Sequence, residues 1–113
     1  MAEVLDSLLD LLGETPVLRL SRLSKICGCV TPILAKLECL APGGSVKDRP
    51  AAAMLKAALQ RGDLLPGGTV IGASAGNAGL SLAMVCAALG LPCVIILPDT
   101  VEELEKALRD MLR

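Results

Sequence analysis

The stretch TVIGASAGNAGLSLAMVCAALGLPCVIIL, residues 69–97, decides the fold class. Apolar and β-branched residues over 69–73 predict a strand, and the glycine-containing loop 74–79 opens a helix that ends at Gly90. A continuous apolar run predicts a second strand over 92–97. A strand, a helix and a strand in this order indicate a right-handed crossover between parallel strands, which is typical of α/β proteins.

Patterns outside this stretch continue the alternation of strands and helices. They predict a helix over 3–12, strands over 17–20 and 33–37, a helix over 48–61 and a helix over 101–112. Pro50 must then lie in the first turn of its helix, and Thr100 with Glu103 forms a capping box. We expect a single α/β domain over 1–113, with an N-terminal helix within 1–13 and a core over 14–113. The small, parallel, doubly wound sheet of this domain is expected to carry helices on both faces.

The predicted helix over 78–89 is apolar on all sides. Apart from Ser81, its side chains are apolar or glycine. Such a helix is expected to be buried all round, and a sheet of about four short strands covers only one side of it. We therefore expect a second domain or a second copy of the chain to cover the other side.

Composition excludes several classes of function. The chain has 113 residues, 11 Lys and Arg against 12 Asp and Glu, and no His, Phe, Tyr or Trp. Without histidine there is no Ser-His-Asp or Cys-His catalytic unit and no HExxH zinc helix. Without aromatic residues and with a net charge of −1, the chain lacks the stacking platform and the basic surface that nucleic-acid binding needs. Nucleic acid is not an expected partner.

The cysteines and the apolar runs indicate a cytoplasmic chain with no membrane partner. An odd number of cysteines, five, without a basic, uninterrupted signal peptide favours reduced thiols. Cys27 and Cys29 form a lone C-x-C that we interpret as inert thiols, so no metal site is expected. Cys86 and Cys93 lie in apolar runs and are expected to be small core residues. No apolar run reaches the roughly 18 residues of a membrane span.

Lys47 is the first candidate for chemistry. It follows two glycines in PGGSVKDR, residues 42–49, and lies just before the helix that begins near Asp48. The positive end of a helix dipole disfavours a neighbouring ammonium, which favours the neutral amine that Schiff-base chemistry requires. The alternative is a solvated loop lysine flanked by Asp48 and Arg49, and the physical argument alone leaves both readings open.

The loop SAGNAG, residues 74–79, is the second candidate. It connects the carboxyl end of a strand to the N-terminus of a helix, where free N–H groups and the helix dipole favour an anion such as a carboxylate. Asn77 is the only asparagine in the chain. The alternative is an ordinary glycine turn capped by Ser74 or Asn77, because such loops are common at strand-to-helix turns.

Five motifs together resemble a known family. They are LGETPVLRL (12–20), LAKLE (34–38), PGGSVKDR (42–49), SAGNAG (74–79) and LPDT (97–100). In order and spacing they are similar to the N-terminal part of cysteine synthase (O-acetylserine sulfhydrylase) and of its relative cystathionine β-synthase. These are pyridoxal-phosphate enzymes of the tryptophan-synthase-β fold type. The likeness covers residues 12 to about 100.

The resemblance implies a cofactor, a substrate class and site residues. Lys47 would hold pyridoxal 5'-phosphate through its amine and later move protons at the substrate's α-carbon. Asn77 would hydrogen-bond the ring hydroxyl of the cofactor. The groups of Ser74, Ala75, Gly76, Asn77 and Ala78 would bind the carboxylate of an amino-acid substrate. The implied reaction is β-replacement, in which O-acetylserine or serine reacts with sulfide to give cysteine.

Departures from the family pattern keep two alternatives open. Cysteine synthases carry hydroxyl residues where this chain has Ala75 and Ala78, and SAGNAG resembles serine/threonine dehydratases, which carry out β-elimination. In the family, a second domain supplies the phosphate loop and the partner of the pyridine nitrogen, so we expect this chain to be truncated and weakly active or inactive alone. A homodimer or a complementing second domain would then be its partner. The other alternative is a non-catalytic α/β module that acts through association.

Overall fold

The structure, a computed structural model, describes residues 4–97. It contains four strands, β1 (Val17–Arg19), β2 (Leu34–Lys36), β3 (Val70–Ala73) and β4 (Cys93–Ile96). Three α-helices accompany them, α1 (Ser21–Ile26), α2 (Asp48–Arg61) and α3 (Asn77–Leu89), together with 3-10 turns at Leu8–Leu11 and Glu38–Leu40. The predicted helix over 101–112 and its capping box lie outside the described residues.

The second half of the described chain agrees closely with the sequence predictions. Helix α2 has the predicted bounds, with Pro50 in its first turn, where the missing N–H costs no hydrogen bond. Helix α3 ends at Leu89, and the following Gly90 caps it in the left-handed conformation (φ 67°) that glycine tolerates best. Strands β3 and β4 pair in parallel, with Val70 opposite Cys93. The α/β class and the parallel pairing are confirmed.

The first half differs, because β1 and β2 form a separate antiparallel pair, with Val17 opposite Lys36. A short helix, α1, which the sequence analysis did not predict, turns the chain back between the two strands. The hydroxyl of Ser24 in this helix donates to the Leu20 carbonyl (3.0 Å) and accepts from the Ile33 N–H (3.0 Å). These two bonds bring the ends of the connection together, so the second strand returns beside the first in the opposite direction.

The N-terminal helix is much shorter than the predicted 3–12. Residues 4–6 are not helical, and a single 3-10 turn, Leu8–Leu11, follows Ser7. The Ser7 hydroxyl accepts from the Leu9 N–H, and the Asp10 carboxylate accepts from the Ser7 N–H. This capping box fixes the helix start at Ser7, because the capping residue itself is extended.

The hydrophobic core lies between α2 and α3. Its buried members are Ala51, Ala52, Leu55, Val85, Cys86 and Leu91. Strands β3 and β4 alternate between half-buried and exposed side chains, and Ile71, Val94 and Ile96 are exposed. The expectation of helices on both faces of the sheet is therefore not met within residues 4–97. Helix α3 is likewise buried on one side only, since Ala87 and Ala88 are exposed.

None of the helices within residues 4–97 is long and apolar enough to cross a membrane.

Candidate functional site

A cavity of about 190 Å³ joins the two regions that the sequence analysis singled out. Lys47 lines it from the start of α2, and Ser74 and Ala78 line it from the loop that opens α3. Pro50, Met54 and Gly72 complete much of its wall. Ala75, Gly76 and Asn77 are not among the lining residues. The lysine and part of the glycine loop thus lie on the same side of the molecule and face the same space.

Lys47 is fixed by its backbone and free at its side chain. Its N–H donates to the Ser45 hydroxyl (3.2 Å), and its carbonyl accepts from the Ala51 N–H (3.1 Å) in the first turn of α2. The side chain is exposed, and its amine makes no hydrogen bond or ion pair to any residue within 4–97. The amine is therefore available to a ligand that enters the cavity.

The loop before α3 is organised around the Ser74 hydroxyl, which accepts from the Gly76 N–H (3.3 Å) and the Gly79 N–H (2.9 Å). The N–H groups of Ala75, Asn77 and Ala78 donate to no acceptor within residues 4–97. The capping residue of this helix, Gly76, has no side chain that could accept from these three groups. Free N–H groups at a helix N-terminus, together with its dipole, attract an anion.

Asp48, the residue after Lys47, is a fully buried carboxylate. Its Oδ2 accepts from the Gly43 N–H (2.6 Å), and its Oδ1 accepts from the hydroxyl of Ser81 (2.5 Å), which is itself fully buried in α3. A Cβ at position 43 would press against Oδ1 and lie 3.0 Å from Cγ of Asp48. Only glycine therefore allows the chain to approach this carboxylate so closely.

A second polar cluster ties the N-terminal segment and β2 to α2. The Arg49 guanidinium donates to both oxygens of Glu38 (2.9 and 2.7 Å) and to the Thr15 hydroxyl (3.1 Å), which also donates to Glu38 (2.9 Å). The hydrogen bonds from Arg49 lower the pKa of the Glu38 carboxyl from 4.5 to about 2. The Lys36 amine donates to the Thr15 carbonyl and closes the cluster. We call these residues the Glu38 clamp.

All five cysteines are free thiols. Cys86 and Cys93 belong to the core and its packed neighbours, as expected. Burial raises the pKa of the Cys86 thiol to about 12, and the neighbouring Cys93 adds to the shift. Cys27, Cys29 and Cys39 are exposed.

Local sequence patterns assign no role to Asp48, Ser81 or the residues of the Glu38 clamp. For Ser81 a signal was present, because a lone hydroxyl in an otherwise apolar stretch of helix needs a buried partner. For Asp48 the signal was its place after two glycines and at the start of a helix. Nothing in either local pattern identified the two residues as partners.

Comparisons with known proteins find similarity over most of the chain. The sequence profile of the family described as pyridoxal-phosphate dependent enzyme matches residues 8–112. Cysteine synthase 1 of Neurospora crassa is 52% identical over 89 residues, which cover 79% of this chain and 23% of that protein. Cystathionine beta-synthase of Apis mellifera is 40% identical over 101 residues, 89% of this chain and 20% of that protein.

A solved structure is also similar over almost the whole chain. The crystal structure of O-ureido-L-serine synthase superposes with a TM-score of 0.86 and 37% sequence identity, over 97% of this chain and 34% of that one. The chain thus spans about a fifth to a quarter of the length of the two curated relatives. The similarity to these synthases supports a family of β-replacement enzymes. It favours neither the dehydratase-type reaction nor a non-catalytic role.

Proposed function

This chain belongs to the family of pyridoxal-phosphate dependent enzymes, and on that premise we propose that it carries the reactive lysine and the carboxylate-binding loop of a β-replacement synthase. The substrate class would be an amino acid with a leaving group on its β-carbon, such as O-acetylserine or serine, with sulfide as the second reactant. The observation that carries the proposal is the shared cavity: Lys47 faces it from the residue before α2, Ser74 from the loop before α3, and Ala78 from the first turn of α3.

The residues around this cavity fit one part of pyridoxal phosphate. The aldehyde of the cofactor requires an amine, which Lys47 supplies at the cavity. The carboxylate of the substrate requires donors, which the free N–H groups of Ala78 at the cavity and of Ala75 and Asn77 next to it in the loop supply. At about 190 Å³, the cavity is smaller than the roughly 300 to 1,000 Å³ of typical ligand sites. By volume, the cavity is therefore only part of a complete ligand site.

In this proposal each residue has a separate task. The Lys47 amine holds the cofactor and afterwards moves the proton at the substrate's α-carbon. The N–H groups of Ala75, Asn77 and Ala78 orient the substrate carboxylate at the positive end of α3. The Asn77 amide donates to or accepts from the ring hydroxyl of the cofactor. When bound, pyridoxal phosphate supplies the electron sink for bond breaking at the α- and β-carbons.

The first test is cofactor capture by Lys47. Pyridoxal phosphate bound to an amine gives a visible absorption band, and because the chain has no Trp, Tyr or Phe, the near-ultraviolet absorption of the bound cofactor also has little protein background. We expect this band in the parent protein and its loss in Lys47→Ala. Lys56→Ala is the matched control, because Lys56 is an exposed lysine on the same helix that does not line the cavity.

Peptide mapping after borohydride reduction locates the modified lysine. The proposal expects modification mainly at Lys47 in the parent and in Lys56→Ala. Equal spectra for the parent and Lys47→Ala, or equal modification of all exposed lysines, would contradict it.

The second test concerns the carboxylate-binding loop. Ala78 lines the cavity and Ala75 does not, so a hydroxyl at position 78 adds a donor where the substrate carboxylate is proposed to bind. Ala78→Thr is expected to tighten L-serine binding to the pyridoxal-phosphate-loaded protein about fivefold, the value of one net hydrogen bond. Ala75→Ser should change it less than about twofold, because it keeps the backbone N–H of residue 75 and places the new hydroxyl at a position that does not line the cavity. Calorimetric titration measures both, and unchanged affinity in Ala78→Thr would argue against this binding site.

A further inference from the structure

Two fully buried polar side chains, Asp48 and Ser81, connect the helices on either side of the cavity. Asp48 is the first residue of α2 and directly follows Lys47. Ser81 lies three residues after Ala78, one turn into α3. Their hydrogen bond (2.5 Å) spans 33 residues of sequence. The bond therefore joins the start of the helix that carries the amine to the first turns of the helix that carries the loop.

Packing by itself does not explain why two polar side chains are buried here. Both side chains have no solvent exposure, and Asp48 has no ion-pair partner within residues 4–97. A buried carboxylate held only by neutral donors costs free energy, and apolar residues of similar volume often pack at least as well. What the pair supplies, and an apolar contact does not, is a bond of fixed length and direction.

The carboxylate also fixes the loop before Lys47. Its second oxygen accepts from the Gly43 N–H (2.6 Å), so the turn at residues 42–47 is bound to the same side chain as α3. Asp48 thereby holds three segments at once: the glycine turn, the start of α2 and the first turns of α3. The position of the Lys47 backbone relative to the loop before α3 depends on all three.

We propose that Asp48 is a positioning residue, which acts through Ser81 to hold the backbone that carries the Lys47 amine at a fixed place relative to the N-terminus of α3. The inference rests on the proposed function, because it concerns the reaction of Lys47 with an aldehyde. Asp48 itself lies outside the cavity lining and need not touch a ligand. Its effect is on the rate at which a correctly placed amine reacts.

The test measures how selectively Lys47 reacts in the full chain. The protein is incubated with saturating pyridoxal phosphate, adducts are trapped with borohydride at timed intervals, and peptide mass spectrometry gives the labelling rates of Lys47 and Lys56. The ratio of the two rates is the readout, because Lys56 lies on the same helix and reports general reactivity. Urea unfolding is measured in parallel on every variant.

Two variants remove the connection and two serve as controls. Ser81→Ala and Asp48→Ala are expected to lower the Lys47 to Lys56 ratio about fivefold or more, the value of one hydrogen bond lost from the reactive geometry. Asp48→Asn should stay within about twofold of the parent, because an amide can accept from Gly43 and donate to Ser81. Ser24→Ala removes another buried, doubly bonded serine far along the chain, and should lower stability without changing the ratio.

Three outcomes are distinguishable. A fall of the ratio in Ser81→Ala, with none in Ser24→Ala and recovery in Asp48→Asn, supports the inference. An unchanged ratio in Ser81→Ala, with a loss of stability like that of Ser24→Ala, would overturn it and leave the proposed function intact. A parent protein that shows no preference for Lys47 would overturn the proposed function and this inference with it.

Discussion

Residues 17–40 and residues 47–97 are stabilised in different ways. The second region contains every buried member of the hydrophobic core, from Ala51 to Leu91. In the first region all three residues of β1 are exposed, as are two of the three in β2. Parallel strands with a helical crossover bury apolar side chains against that helix, whereas the β1–β2 pair has little apolar cover. The candidate site lies in the region with the core.

The β1–β2 region is attached to the rest by polar groups. The Glu38 clamp links the end of β2 to Arg49 in α2 and to Thr15 before β1. A bidentate ion pair fixes orientation well but contributes modest free energy when solvent reaches it. The comparison indicates that apolar packing stabilises the site and that hydrogen bonds to charged groups attach the neighbouring sheet.

The largest expected difference between the two regions is the loss of unfolding free energy when a leucine is replaced by alanine. Leu55 is buried in the core, whereas Leu34 of β2 is 58% exposed. Leu55→Ala should lower the free energy of unfolding by about 2–5 kcal/mol, and Leu34→Ala by at most about 0.5 kcal/mol. Urea unfolding followed by circular dichroism measures both. Similar losses in the two variants would show that β1 and β2 are packed as well as the core.

A smaller effect is expected at the glycine turn before Lys47. Gly43→Ala forces a methyl group against the Asp48 carboxylate, which two hydrogen bonds hold in place, so it should cost about 1–3 kcal/mol. Gly76→Ala is the control, since its Cβ would meet no atom within 4 Å and its backbone is extended (φ −156°). That variant should stay within about 0.5 kcal/mol of the parent. Equal unfolding midpoints for the two variants would mean that Asp48 moves freely.

The Glu38 clamp should make stability depend on acidic pH. Because the folded pKa of Glu38, about 2, lies below the unfolded value of 4.5, the unfolded chain binds more protons between these values. The contribution of Glu38 to the free energy of unfolding is complete above about pH 4.5 and is lost as the pH falls towards 2. Glu38→Gln should remove this part of the pH dependence, as measured by urea unfolding from pH 2 to 7.

Asp63→Asn is the control for the clamp. It removes the Arg61–Asp63 ion pair, which has the same N–O distance of 2.7 Å but is largely exposed, so solvent screens it. The pH profile of this variant should follow that of the parent. A Glu38→Gln profile identical to that of the parent would show that the clamp contributes nothing to folding stability.

Local signals predicted the elements of the second region well. Pro50 and Gly90 mark a helix start and a helix end through their own backbone preferences, and a run of apolar residues bounded by turns marks each strand of the parallel pair. The sequence also identified Lys47 and the loop at 74–79 as candidates. The roles of these residues in binding remain predictions.

Prediction was poorer in the first region, where local patterns competed. The apolar spacing over 3–12 favoured a long helix, but the Ser7 and Asp10 capping box begins a single turn instead. The short helix α1 was missed because six residues give too little periodicity to detect. A parallel sheet was expected, but the hydrogen bonds of Ser24 in this helix bring β2 back antiparallel to β1.

By itself, the sequence determined the α/β class, the bounds of α2, the end of α3 and the residue types available for chemistry, because these depend on neighbours within a few positions. Only the tertiary structure decided that β1 and β2 run antiparallel, that Asp48 meets Ser81, and that Lys47 shares a cavity with Ser74. Each of these facts is a contact or orientation set by the path of the whole chain. Residues 27 or 33 positions apart carry no local signal of each other, so hydrogen bonding and burial in the folded molecule select the pairs.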